Sequence, residues 1–283
     1  MSSVFGESAF TRLPDGRRLH HVTRGSGGPV VVLEAGLGAT RTEWGLVLPG
    51  LAERTRVVAY DRAGMGRSDR DPGRRHLQRM VEDLGHLLDH LGEERYVLAG
   101  HSLGGPIIRA YAAERPERVA ALVLIDQAAE EMAHYYKPGT RILGAGLYRG
   151  LAALSSVGVK YVPAEIRRLM ALFPPQMAAE ALAEMTRPAE MRAAAAEMSA
   201  LAEGFARLRD SGRPLPPVPV TAISGALASS KMERRLRLEL VDCHRRLAEA
   251  LPYGRHVTAK RSGHMIPQDE PELVVEEILR LAG

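Results

Sequence analysis

The sequence predicts an α/β protein: a doubly wound, mostly parallel sheet with a block of helices inserted before its last two strands. Three observations carry this. Short apolar runs such as "PVVVLEAG", "RYVLAG" and "VAALVLID" alternate with segments of helical periodicity. That rhythm stops after Asp126 and resumes at "VPVTAISG". The intervening stretch of about 90 residues contains no clear strand. Runs that are apolar at every position are expected of strands covered on both faces. Strands alternating with helices imply parallel pairing.

In chain order, "RRLHHVTRG" reads as an exposed strand and "PVVVLEAG" as a buried one running into glycines. "TRVVAYDRAG" repeats that form. "QRMVEDLGHLLDHLG" has apolar residues at helical spacing and ends on glycine, a helix stop. Strand "RYVLAG", helix "GGPIIRAYAAERPE" and strand "VAALVLID" follow. The insert is rich in Ala, Leu and Met. Prolines at 138, 163, 174, 175 and 188 divide it into several helices, and "GRPLPPVP" closes it. Strand "VPVTAISG", the long amphipathic helix "KMERRLRLELVDCHRRLAEAL", strand "RHVTAK" and helix "PELVVEEILRLAG" complete the chain. The expected organisation is 1–126 as the first part of an α/β core, 127–217 as a helical insert and 218–283 as the second part. There is no internal repeat and no low-complexity tail.

Composition narrows the function. With 283 residues, 45% hydrophobic and 25% charged, the chain is long enough for a sizeable core. The net charge of +4 comes from arginines that are scattered and interleaved with acids. A mixed solvated surface is therefore expected, not a nucleic-acid stripe. No apolar run reaches the ~18 residues of a membrane span, and the N-terminus lacks a signal-peptide layout. The only cysteine, Cys243, allows no internal disulfide and fits a reducing compartment. A cytoplasmic protein with no membrane or nucleic-acid partner is the expectation. Its oligomeric state is left open.

The chemistry lies in three places. "RYVLAGHSLGG" sets Gly100-His101-Ser102-Leu103-Gly104 between a strand and a helix, the context of a nucleophile elbow. The tight turn requires glycines and exposes Ser102 at the end of the sheet. The Leu103 N–H opens the helix and points at whatever the serine attacks. Serine needs a base, and "AKRSGHMIPQDEPELV" supplies His264 after the last strand, where loops gather at the ligand crevice of such sheets. His86 and His90, one helical turn apart, have no third ligand nearby, and no metal site is expected. Third, Gly36-Leu37-Gly38 follows a strand and can turn its backbone N–H groups, Leu37 foremost, toward an oxyanion. Trp44, the only tryptophan, is a candidate substrate-binding residue; its alternative is the core.

On these pieces the sequence resembles the α/β-hydrolase superfamily. The resemblance rests on "GHSLGG", "SGHMIPQDEPELV", "YDRAGMGRSD" and "VLEAGLG". It covers nearly the whole chain outside the insert, which stands where the family carries its cap. It implies a Ser–acid–His triad in that chain order, with no metal or organic cofactor. Two departures stand out. The family's oxyanion loop commonly begins His-Gly, and here it is Ala35-Gly36. The family's acid usually follows the strand after the cap, but "ISGALASSK" holds no carboxylate. Family members lacking it there can place the acid one strand earlier, which here is Asp126. In the family's strand order the strand before His264 lies about 10 Å from the Asp126 strand at ~4.8 Å per strand, and the loop from Lys260 could span ~13 Å. Asp61 and Arg62 look like a charged pair, but Asp61 is expected to hold its turn, which the glycines permit, and not to act in catalysis.

The resemblance implies an acyl-enzyme on Ser102 with His264 as base and Asp126 as its partner. Six of the eleven methionines lie in the insert, which favours an apolar small-molecule ester or lactone as substrate. A cofactor-free C–C hydrolase or lyase, a perhydrolase and a non-catalytic small-molecule binding module remain as alternatives. Haloalkane dehalogenases and epoxide hydrolases carry an aspartate at the elbow, unlike this chain.

Overall fold

The computed structural model describes residues 2–283. Nine strands form one sheet: β1 (Ser2–Ser3), β2 (Gly6–Arg12), β3 (Arg18–Arg24), β4 (Val31–Glu34), β5 (Val57–Tyr60), β6 (Tyr96–His101), β7 (Val119–Ile125), β8 (Val220–Gly225) and β9 (Gly254–Ala259). Their spatial order is β1-β2-β3-β5-β4-β6-β7-β8-β9. β1 to β3 meander antiparallel onto β5, and every pairing from β5 to β9 is parallel.

The continuous apolar strands are explained by two cores. On β7, Leu122 and Leu124 face one core together with helices α2 (Leu77–Leu91) and α3 (Gly104–Glu114). Ala121, Val123 and Ile125 face the other, against α1 (Leu48–Ala52) and the C-terminal helix Pro271–Ala282. The period-two alternation survives, but both faces are apolar because both are covered.

The expectation of an exposed strand at "RRLHHVTRG" is corrected. β3 lies between β2 and β5, and Leu19, His20, His21 and Val22 are buried. Burial of a polar ring is met by hydrogen bonding: His20 contacts Ser8 Oγ at 2.7 Å and Asp61 Oδ2 at 2.8 Å.

Between β7 and β8 run α4 (Pro138–Ser156), α5 (Ala164–Met170), α6 (Pro175–Met185) and α7 (Pro188–Asp210). Pro138, Pro175 and Pro188 each occupy a first helical turn, where a missing N–H costs nothing and the fixed φ assists. Buried ion pairs tie this insert to the core. Arg41, fully buried, meets Asp61, Glu180 and Glu184, and Arg62 meets Glu197. After β8 come α8 (Lys231–Glu249), β9, the short α9 (Ile266–Asp269) and α10 (Pro271–Ala282).

The strand order turns back at β4, which sits between β5 and β6. Loops leaving β4 and β6 therefore part over the same crevice, the place where open α/β sheets bind ligands.

Candidate active site

Ser102 follows β6 with φ 52°, and Asp126 follows β7 with φ 40°. These are the only non-glycine residues in the left-handed region among the described residues. Such strain persists only where the surroundings over-determine it. Around Ser102 they do: a Cβ on Gly100 would lie 2.6 Å from the Gly104 backbone, and one on Gly104 would lie 2.3 Å from the Glu34 carbonyl oxygen. The glycines of "GHSLGG" thus permit the close approach that lifts the Ser102 hydroxyl out of the turn. At Asp126, an aspartate tolerates the conformation better than most residues.

The structure brings Ser102, His264 and Asp126 into one file. His264 Nε2 lies 3.1 Å from Ser102 Oγ, and His264 Nδ1 lies 2.7 Å from Asp126 Oδ2. Because an ionised carboxylate only accepts, Nδ1 carries the proton and Nε2 is left to accept from the serine hydroxyl. Asp126 is fully buried. Burial pushes its pKa up, but the hydrogen bond and charge of His264 and those of Arg237 outweigh it and hold the carboxyl well below its usual range.

Several groups here were not flagged by the sequence. Arg237 of α8 donates Nη1 to both oxygens of Asp126, at 2.6 and 2.5 Å. The Gly225 N–H, at the end of β8 where the family's acid is commonly found, donates to Asp126 Oδ1 at 3.0 Å. Glu43 binds three pieces of the site. It accepts the Gly36 N–H at 2.8 Å and His101 Nδ1–H at 2.8 Å, and its backbone oxygen accepts from Gln268. His101 Nε2 donates to the His264 carbonyl at 2.8 Å. With both ring nitrogens donating, His101 is an imidazolium. Burial lowers its pKa, but the Glu43 carboxylate beside it more than compensates and raises it. His101 is therefore structural: it clasps the His264 loop. In the sequence Glu43 is an ordinary acid beside Trp44, and no local pattern marks it or Arg237.

Behind Asp126, Ser224 Oγ sits 2.8 Å from His244 Nδ1 and 2.9 Å from His256 Nε2, while His244 Nε2 donates to the Gln127 carbonyl at 2.7 Å. That donation makes Nδ1 the acceptor, so the Ser224 hydroxyl donates to His244 and receives from His256. His244 is neutral, its pKa lowered by burial to about 4. The folded value lies below the unfolded one, near 6.5. Its contribution is thus complete above pH 6.5 and is lost as the pH falls toward 4, up to about 3 kcal/mol. Thermal unfolding from pH 7 to pH 4 should show a steeper loss of Tm for the wild type than for His244→Gln. Equal slopes would exclude His244 as a source of acid sensitivity.

Leu37 and Leu103 supply the two amides expected to face an oxyanion. Gly36 N–H and Gly38 N–H, which flank Leu37, are bound to Glu43 and Glu197. Among the described residues, the N–H groups of Leu37 and Leu103 have no acceptor within the chain. A Cβ on Gly36 would lie 3.4 Å from the Ser102 Cβ, so this loop abuts the elbow.

Ser102, His264, Leu37 and Gly36 open on a cavity of about 520 Å³, a volume suited to a small organic ligand. Most of its remaining wall comes from α4 to α7 and the segment before α5, and is mostly apolar. Met170, Met185, Met191 and Met198 line it, whereas Met132 and Met177 pack into apolar clusters elsewhere. The expectation that Trp44 binds substrate is corrected. Its side chain is 0% exposed and belongs to the core cluster of Phe5, Leu48 and Phe173. The 3₁₀ turn Arg41–Trp44 carries it inward, while Thr42 and Glu43 face the cavity.

Asp61 holds its turn as expected. It accepts from His20, from Arg41 and from the Arg67 N–H, and a Cβ on Gly66 would lie 2.3 Å from its carboxylate. His86 and His90 are exposed, and no group of three or more metal-ligating side chains occurs among the described residues. Among the described residues, no helix is long and apolar enough to cross a membrane.

Residues 28–147 match a family described as the alpha/beta hydrolase fold. A soluble epoxide hydrolase of Corynebacterium sp. is 35% identical over 40% of this chain and 39% of that protein. The curated relatives are matched over about two fifths of their own length. Among solved structures, Cfl2 of Burkholderia cenocepacia is 27% identical, with 98% of this chain and 95% of that one covered at a TM-score of 0.72. The enol-lactonase of Burkholderia xenovorans is 22% identical, with 96% and 99% covered at a TM-score of 0.72, a likeness of fold.

Proposed function

Since the chain belongs to the α/β-hydrolase superfamily, we propose that it is a serine hydrolase that cleaves a carboxylic ester or lactone of an apolar small molecule. The observation that carries this is the hydrogen-bonded file from Asp126 through His264 to Ser102, ending on the wall of a Met-lined cavity. Ser102 Oγ attacks the carbonyl carbon as its proton passes to His264 Nε2. Asp126 stabilises the imidazolium that forms. The N–H groups of Leu37 and Leu103 receive the oxyanion. Collapse expels the alkoxide, which takes the proton from His264. Water, deprotonated by the same nitrogen, then releases the acid. Residues 127–217 act as the cap over this site.

The epoxide hydrolases among the relatives do not lend their reaction to this chain. Opening an epoxide with Ser102 would leave an alkyl ether, which a second attack by water cannot cleave. A carbonyl substrate avoids that dead end.

The test is a p-nitrophenyl ester series on the purified protein, with fluorophosphonate labelling. A buried methylene contributes ~0.8 kcal/mol, so kcat/KM should rise by up to about fourfold per carbon until the cavity is filled. A chain-length profile that is flat or falls from acetate onward would refute the apolar-substrate reading. Absence of both turnover and labelling would refute the serine-hydrolase reading itself.

A further inference from the structure

Arg62 is 3% exposed and uses every N–H it has. Nη1 donates to Glu34 at 2.8 Å and to the Ala35 carbonyl at 2.7 Å. Nη2 donates to the Gly36 carbonyl at 2.7 Å and to Glu197 Oε2 at 3.1 Å, and Nε donates to Glu197 Oε1 at 3.0 Å. That exhausts the five donors of a guanidinium. The two carbonyls it grips immediately precede Leu37.

The consequence follows from peptide geometry. In a trans peptide the C=O and the N–H point in opposite directions, and no described peptide bond is cis. A Gly36 C=O turned to Arg62 therefore directs the Leu37 N–H away from Arg62, and Leu37 lines the cavity. Glu197 extends the arrangement. It is buried on α7 in the helical insert, yet it accepts the Gly38 N–H of the core loop at 3.0 Å as well as Arg62 and Arg75. Gly38 has φ 69°, and a Cβ there would lie 2.9 Å from Ala194 of the same helix.

We propose that Arg62 and Glu197 are positioning residues for the oxyanion donor, so that the cap helix α7 builds part of the catalytic machinery of the core. The proposal rests on the acyl-transfer reading above. Loosening the pair leaves the Gly36 carbonyl held by the Ala39 N–H alone, at 3.1 Å, so the Leu37 amide is less firmly directed, which raises the barrier to the tetrahedral intermediate but leaves the apolar cavity unchanged. Loss of one such donor typically lowers kcat by 10²–10³.

The experiment compares Arg62→Lys, Glu197→Gln and Arg75→Gln with the wild type. Arg75 donates to Glu197 Oε1, whereas the Gly38 N–H and Arg62 Nη2 bond Oε2, so its variant reports the cost of losing a buried ion pair with these contacts in place. The readouts are kcat and KM on a p-nitrophenyl ester, Tm, and affinity for an alkylboronic acid, whose tetrahedral serine adduct carries the oxyanion. Arg62→Lys and Glu197→Gln should lose at least tenfold in kcat and a similar factor in boronate affinity, with KM within about threefold. Arg75→Gln should lose Tm but keep kcat and boronate affinity within about threefold. If Glu197→Gln does not fold, the contrast of Arg62→Lys with Arg75→Gln decides. Wild-type kcat and boronate affinity in the folded variants, or losses that follow Tm across all of them, would overturn the proposal. Failure of the wild type to bind boronate would instead overturn the acyl-transfer reading and the proposal with it.

Discussion

Ser102→Ala is expected to lose ester hydrolysis by a factor on the order of 10⁶ in kcat and to take no fluorophosphonate label, with its Tm close to that of the wild type. The size of the loss follows from the proposed chemistry: without Oγ no acyl-enzyme can form, and the remaining groups can only bind substrate and polarise its carbonyl. The small effect on stability follows from the geometry. Alanine keeps the Cβ, so the left-handed turn at φ 52° is no more strained than before, and the hydroxyl it removes is bonded only to His264 at 3.1 Å among side chains. Steady-state kinetics and thermal unfolding check these two points, and mass spectrometry of the fluorophosphonate-treated protein checks the loss of label. Label retained by the variant would move the nucleophile to another residue.

Asp126→Asn is expected to lower kcat by about 10⁴, for a reason specific to this site. The Gly225 N–H donates to Oδ1 of Asp126 alone, and Arg237 Nη1 donates to Oδ1 as well as to Oδ2. They will hold the amide oxygen of an asparagine there, which puts its NH₂ at the Oδ2 position facing His264 Nδ1. That nitrogen must then accept, the proton moves to Nε2, and the ring can no longer take the proton of Ser102. Asparagine tolerates the φ of 40°, so the backbone does not confound the result. Stability should also fall, by about 3 kcal/mol, because Arg237, 8% exposed, keeps only a neutral partner. Steady-state kinetics and thermal unfolding measure the two effects. Near-normal turnover would place the acid elsewhere.

The candidate site was partly legible in the sequence. Ser102 and His264 were marked by local context, a glycine-flanked turn between strand and helix and a loop after the last strand. Asp126 was suggested by a missing carboxylate some hundred residues away in "ISGALASSK". There the structure shows the Gly225 amide directed at Asp126. Trp44 was misplaced because a lone tryptophan near a loop looks the same whether its ring turns outward or inward. β3 was misread because histidines score as polar, although His20 and His21 are buried. Glu43, Arg237 and Glu197 carried no signal. Each is an ordinary charged residue whose partners lie far along the chain: Asp126 is 111 residues from Arg237, and Gly38 is 159 from Glu197.

What the sequence by itself determined was the set of elements and the turns between them: apolar runs that need cover on two faces, prolines that can only open helices, and glycines where no Cβ fits. These are local constraints, decided by the backbone and its nearest neighbours. What only the tertiary structure decided was the pairing of charges. A buried guanidinium or carboxylate must find its counterion wherever the fold brings one, and that choice depends on the order of strands and the packing of the insert. The partners of Arg62, Arg237 and Glu43 are therefore properties of the folded chain.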